Sequence, residues 1–157
     1  MPVYEPHEAG RDVVGPRATG TGVGRVLVAV YAVFALAASA RAGVQLATRF
    51  HEAPLAYLLS AFAGGVYVLA TVGLAGRSVN ARRLAWVAVL IELTGVLVVG
   101  TASFALPADF PRATVWSGYG AGYGWVPLAL PVFGLLWLRR TRAGASRTSR
   151  TGLDEAK

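Results

Sequence analysis

The stretch Leu84-Ala-Trp-Val-Ala-Val-Leu-Ile-Glu92-Leu-Thr-Gly-Val-Leu-Val-Val-Gly-Thr-Ala-Ser-Phe-Ala-Leu106 decides the fold. Its 23 residues carry a single charge, at Glu92. A helix of that length, at about 1.5 Å per residue, crosses a hydrocarbon core of about 30 Å. Arg82 and Arg83 stand just before it and Pro107 stops it. An acid in the middle of such a run needs a partner, a wet path or a function.

Three further stretches have the same form. Span one runs from Val26 to Thr48 between Arg25 and Arg49, and is interrupted only by Arg41. Span two is Leu55–Gly76 after Pro54, and span four is Trp116–Leu138. Hydrophobic residues make up 55% of the 157 and charged residues 15%, against roughly 25% charged in a soluble domain. A small soluble fold has too little interior to hide four such segments. The expected fold is therefore all-α, a polytopic integral membrane protein built as a four-transmembrane-helix bundle. Residues 1–24, rich in Pro and Gly, are expected as a flexible cytoplasmic N-terminal tail. Residues 25–140 form the transmembrane domain, and 141–157 a flexible basic cytoplasmic C-terminal tail. The first 24 residues are too long and too polar for the start of a signal peptide, so span one should be retained.

Arginine placement sets the orientation. Arg77, Arg82 and Arg83 lie between spans two and three with no acid beside them, and Arg139, Arg140, Arg142, Arg147 and Arg150 follow span four. The loops after spans one and three are formally neutral, with Arg49 and Glu52 in one and Asp109 and Arg112 in the other. The excess of arginine near helix ends places the middle loop and both termini in the cytoplasm of a cell inner or plasma membrane. The net charge of +7 is thus a topology signal, with anionic-lipid contact as a further use, and does not point to nucleic acid. Trp116, Tyr119, Tyr123 and Trp125 are expected as an interfacial aromatic group at the outer end, and Trp137 at the inner end.

Small side chains must bring the helices together, because lipid is as apolar as they are. Span one offers Ala35, Ser39 and Gly43, and span two Ser60 and Gly64. In span three Ala85, Ala88, Glu92, Gly95, Val99 and Ala102 share one helical face, which points Glu92 into the bundle. Span four opens with Ser117-Gly-Tyr-Gly-Ala-Gly-Tyr-Gly124 and continues through Pro127 and Pro131. It should be bent or locally unwound, with Tyr119 and Tyr123 on one side at i,i+4. The Gly-Tyr-Gly pieces lack the pore helix of an ion filter, and no strand or lysine makes them a phosphate loop.

Glu92 should lie about 12 Å into span three from the cytoplasmic side, and Arg41 about 22 Å along span one. They can pair if Arg41 reaches inward; otherwise Arg41 snorkels toward the outer headgroups. Gln45 shares the Arg41 face. The intramembrane polar or coupling candidates are therefore Glu92, Arg41, Gln45, Tyr119 and Tyr123. The bland reading has them fastening the bundle through hydrogen bonds or salt bridges; the sharper one makes Glu92 a proton- or cation-linked carboxylate. No other chemistry stands out. Cysteine is absent, His7 and His51 do not outline a metal site, and Ser39, Ser60 and Ser103 have no histidine base. No cofactor is implied.

The segments Ala38-Ala-Ser-Ala-Arg-Ala-Gly-Val-Gln45, Phe50-His-Glu-Ala-Pro-Leu-Ala-Tyr-Leu-Leu59, Ala113-Thr-Val-Trp-Ser117 and Val126-Pro-Leu-Ala-Leu-Pro131 resemble uncharacterised small four-span integral membrane proteins of actinobacteria. The resemblance covers Val26 to Arg140 and implies a membrane bundle, with no activity or catalytic position to carry over. The leading functional expectation is a non-enzymatic accessory or interaction subunit of a membrane complex. Its partners would be membrane lipids and a second copy or another membrane protein. A small proton- or cation-coupled transporter is the alternative. An enzyme acting on a lipid or lipid-linked sugar would need Glu52 and Asp109 to converge.

Overall fold

The structure, a computed structural model, describes residues 20–154, with side chains described over 22–141. Four helices follow one another: α1 (Gly20–Thr48), α2 (Pro54–Ala75), α3 (Val79–Ala105) and α4 (Val126–Asp154). The first three are each long and apolar enough to cross a membrane. A fourth crossing is counted if the bent pair, in which the short helical segment Ser117–Tyr123 meets α4 at 100°, forms one broken span. The protein is thus an all-α, multi-pass membrane bundle.

Local chemistry places most of the boundaries. Pro54 opens α2, where its missing N–H is not needed, and the Gly76 N–H closes the helix on the Val72 carbonyl at 3.0 Å. Ser78 caps α3 by accepting from the Ala81 N–H at 3.1 Å. Leu106, kept out of the helical region by the proline that follows it, ends α3 with its N–H on the Ala102 carbonyl. The expected tail over residues 1–24 lies outside the described residues as far as residue 19, and α1 is already helical from Gly20. At the other end the backbone of α4 stays helical to Asp154, well past Leu138.

Short connections make sequential helices antiparallel neighbours. α1 packs along α2, α2 along α3, and α4 closes the ring against α3 and α1. The closest approaches use the expected small residues. A side chain at Gly64 would meet the Ser39 backbone nitrogen at 3.2 Å, so α1 and α2 touch almost backbone to backbone. A side chain at Gly73 would lie 2.5 Å from the Ala85 nitrogen, which fixes α2 against the start of α3. Gly43 does not share this role: it is exposed, with open space beside it. Ala85, Ala88, Glu92 and Val99 are all buried, as the periodicity of span three requires.

Span four departs furthest from a straight helix. Its α-helical apolar part, Val126–Leu138, is about 20 Å long, too short for the hydrocarbon core. The segment Ser117–Tyr123 packs instead against α3 and α4. Gly118, Tyr119 and Gly120 all have left-handed backbone, so glycine at 118 and 120 removes the steric cost that an L side chain would meet. Side chains satisfy the freed backbone groups, as irregular chain at membrane depth requires. Thr114 Oγ1 accepts from the N–H groups of Trp116 and Ser117 at 3.1 and 3.0 Å, and Ser117 Oγ accepts from the Thr114 N–H at 2.9 Å. Ser103 Oγ on α3 accepts from the Gly118 N–H at 2.9 Å. Pro127 falls in the first turn of α4, where no donor is missed, so only Pro131 interrupts the helix.

At the opposite end Arg82 reaches from α3 to the last carbonyl of the apolar part of α4. Its Nη2 donates to the Leu138 oxygen at 2.5 Å and to Thr141 Oγ1 at 3.0 Å. Trp137 packs over Gly24, bringing the start of α1, the α2–α3 connection and the basic part of α4 to one end of the bundle.

Candidate functional site

The five residues singled out by sequence fall into three places. Glu92 is fully buried at the bundle centre, where the Tyr31 hydroxyl of α1 donates to its Oε2 at 2.6 Å. α1 and α3 are diagonal partners in the ring, so this hydrogen bond crosses the bundle axis. Gly134 of α4 makes room for it: a side chain there would sit 3.4 Å from the Tyr31 oxygen. The Tyr31 ring lies 6.2 Å from that of Tyr67 on α2. The Tyr67 hydroxyl in turn accepts from the Trp116 indole N–H at 3.2 Å. All four helical layers therefore contribute to one enclosed cluster. Glu92 Oε1 has no hydrogen-bond partner within it.

Arg41 and Glu92 do not pair. The Arg41 guanidinium donates to the Tyr123 hydroxyl and lies over the Tyr123 ring, 5.9 Å from its centre. It faces the end of α1 rather than the bundle axis, and shares a cleft there with Gln45, Thr48 and Arg49. The Tyr123 ring also packs edge-on against Phe34 at 6.2 Å, so the Arg41 contact ties the segment before α4 to α1.

Tyr119 is in a third place. Its hydroxyl is 3.0 Å from Thr101 Oγ1, and its ring packs on Phe104 and the bare backbone of Gly100. The expectation that Tyr119 and Tyr123 share one side is corrected. An i,i+4 pair shares a face only in a regular α-helix, and three successive left-handed residues turn Tyr119 to α3 while Tyr123 faces α1. Trp116 is corrected as well. It is 1% exposed, seated on Gly95 of α3 with Phe62 edge-on at 6.0 Å, and is a core residue rather than an interfacial anchor. Trp125, by contrast, is 52% exposed.

Sequence reading missed Tyr31 and Tyr67. Their signal was available: tyrosines five or more residues inside an apolar span are too deep to anchor at an interface, and a buried hydroxyl requires a partner.

The remaining polar groups have local uses. Glu52 forms an ion pair with Arg112 at 3.2 Å and accepts from Tyr57 at 3.4 Å. Ser60 and Ser103 donate to carbonyls of their own helices. His51 lies in an exposed turn against Phe50, and His7 lies outside the described residues. Among the described residues no group of three or more His, Cys, Asp or Glu is placed to hold a metal ion.

No protein-family model, curated protein or solved structure matches this chain. The reading of its function therefore rests on its own residues.

Proposed function

We propose that this protein works without catalysis, as an accessory or interaction subunit of a membrane complex, with both termini on the cytoplasmic side. One observation carries this reading. Its most conspicuous intramembrane charge, Glu92, is 0% exposed and bonded across the bundle to Tyr31. A carboxyl group used in this way fixes the relative positions of diagonal helices, and a coupled transporter would instead need an open route to it. The Glu52–Arg112 ion pair likewise supports a structural use for the acid best placed to act on a headgroup.

Association has room on the lipid-facing surface. Gly43 of α1 and Gly65 of α2 are exposed with nothing within 4 Å of a would-be side chain. A second helix could approach either backbone closely, the geometry on which association in lipid depends. Clustering of Arg25, Arg77, Arg82, Arg83, Arg139 and Arg140 toward one end supports the cytoplasmic placement of that end.

The test is mass measurement of the protein extracted in native bilayer discs, without detergent. Complexes larger than the 16.4 kDa chain, weakened by Gly43→Trp or Gly65→Trp, are the expected result. Isolated monomers with no partner would overturn the reading. So would proton-driven flux in liposomes that is lost in Glu92→Gln.

A further inference from the structure

Three arginines at the end of the bundle opposite the basic loops are not explained by topology, since the positive-inside tendency puts cations at the other end. Arg41, Arg49 and Arg112 line one cleft of about 540 Å³, between the end of α1, the start of α2 and the loop after α3. A single nearby carboxylate, Glu52, is committed to Arg112. Arg41 has only the neutral Tyr123 hydroxyl, and Arg49 makes no ion pair among the described residues. Asp109 does not line the cleft, so once Glu52 is paired with Arg112 the lining keeps the charges of Arg41 and Arg49. Guanidinium groups so placed match the oxygens of a phosphoryl group by geometry as well as charge.

A second cleft adjoins the first through Arg41. It has a volume of about 360 Å³ and is lined by Val33, Phe34, Ala37, Ala38, Val115 and Tyr123. These residues lie one to two turns deeper along α1 than Arg41, on the side of the hydrocarbon core. Arg41 itself is seven residues before the end of α1, or about 10 Å, on the wall shared by the two clefts. A basic cleft opening downward into an apolar one matches an amphiphile. A soluble anion would fill only the upper half. Gln45, on the wall of the basic cleft, keeps Oε1 buried without a partner, so a hydroxyl beside the phosphoryl group would find an acceptor.

We propose that these joined clefts hold one anionic phospholipid, its hydroxyl-bearing phosphoryl headgroup between Arg41, Arg49 and Arg112 and an acyl chain running along α1 from Ala38 to Val33. The site is independent of any role in a complex. Binding would hold the 111–113 loop against α1, which face each other across the cleft.

The full-length protein in a neutral detergent, titrated with phosphatidylglycerol or phosphatidylcholine and followed by native mass spectrometry, tests this. Phosphatidylglycerol should be retained about tenfold more strongly than phosphatidylcholine, as one charge-assisted contact already provides. Arg49→Gln, at an exposed position that the fold does not use, should remove most of that preference, and Arg41→Gln the same or more. Arg41→Lys should keep part of it, and Arg83→Gln at the opposite end should keep all of it. Ala37→Phe, which fills the lower cleft, should weaken retention of the lipid with all three arginines in place. Equal retention of the two lipids, or an Arg49→Gln variant with its preference intact, would overturn the site. Displacement of the lipid by an equal concentration of soluble glycerol phosphate would overturn the acyl half of the proposal.

Discussion

Replacing Tyr31 by Phe deletes one oxygen and leaves Glu92 with no hydrogen-bond donor for either carboxyl oxygen, because Oε1 already lacks one. The bond is short at 2.6 Å, and both residues are 0% exposed, so water cannot replace the lost donor without the bundle opening. Hydrogen bonds between helices in membranes average about 0.6 kcal/mol and reach about 1.7 kcal/mol. A short bond to a carboxyl group in a sealed site belongs at the upper end of that range. Tyr31→Phe is therefore expected to cost about 2 kcal/mol, and Glu92→Leu, which strands only a hydroxyl, about 1 kcal/mol. The double variant removes both polar groups together and should cost less than the two singles combined, because a well-packed apolar pair replaces a buried polar one at little loss. The expected coupling is about 1.5 kcal/mol. Reversible unfolding in bicelles, followed by a steric trap or by helicity, measures all four corners of the cycle. A coupling below about 0.3 kcal/mol would refute the cross-bundle bond as a determinant of helix position.

Other expectations follow from close approaches and backbone form. Gly73→Ala places a side chain 2.5 Å from the Ala85 nitrogen and should destabilise the bundle by about 1–3 kcal/mol; Gly65→Ala, with open space around it, should be neutral in the same unfolding assay. Gly120→Ala meets both a φ of +81° and the Pro127 ring at 2.7 Å, so a loss of about 3 kcal/mol is expected, read as a lower thermal midpoint in bicelles. With no native cysteine, Asn80→Cys and Ala108→Cys report topology cleanly. An impermeant maleimide added outside intact cells should label Cys at 108 and spare 80, and the reverse pattern would invert the orientation.

Much of the membrane bundle is legible in one dimension because a bilayer imposes a length and a polarity on each span. Leu84–Leu106 announces a crossing helix with no knowledge of its neighbours, since no water at that depth can rescue exposed backbone groups. Helical periodicity likewise turns Glu92 inward, and small residues mark where Gly64 meets its partner, whereas the closer approach at Gly73 shows only in the packing. Proline placed helix ends at Pro54 and Pro107 through its ring and missing N–H, whereas the Ser78 cap, six residues before Leu84, shows only in the structure. Partner choice is another matter. Whether Glu92 meets Arg41 or Tyr31 depends on relative helix rotation and height, and register counts leave both open. Tyr119 and Tyr123 part company because glycine permits left-handed backbone without compelling it, and Ser103, Thr114 and Ser117 make that choice by satisfying the released N–H groups. The sequence by itself determined that the chain is a multi-pass bundle of apolar helices and which face of α3 looks inward, because those are properties of single helices in lipid. Only the tertiary structure decided which side chains close the centre and where Arg41 goes, because each of those outcomes is settled by contacts between residues tens of positions apart.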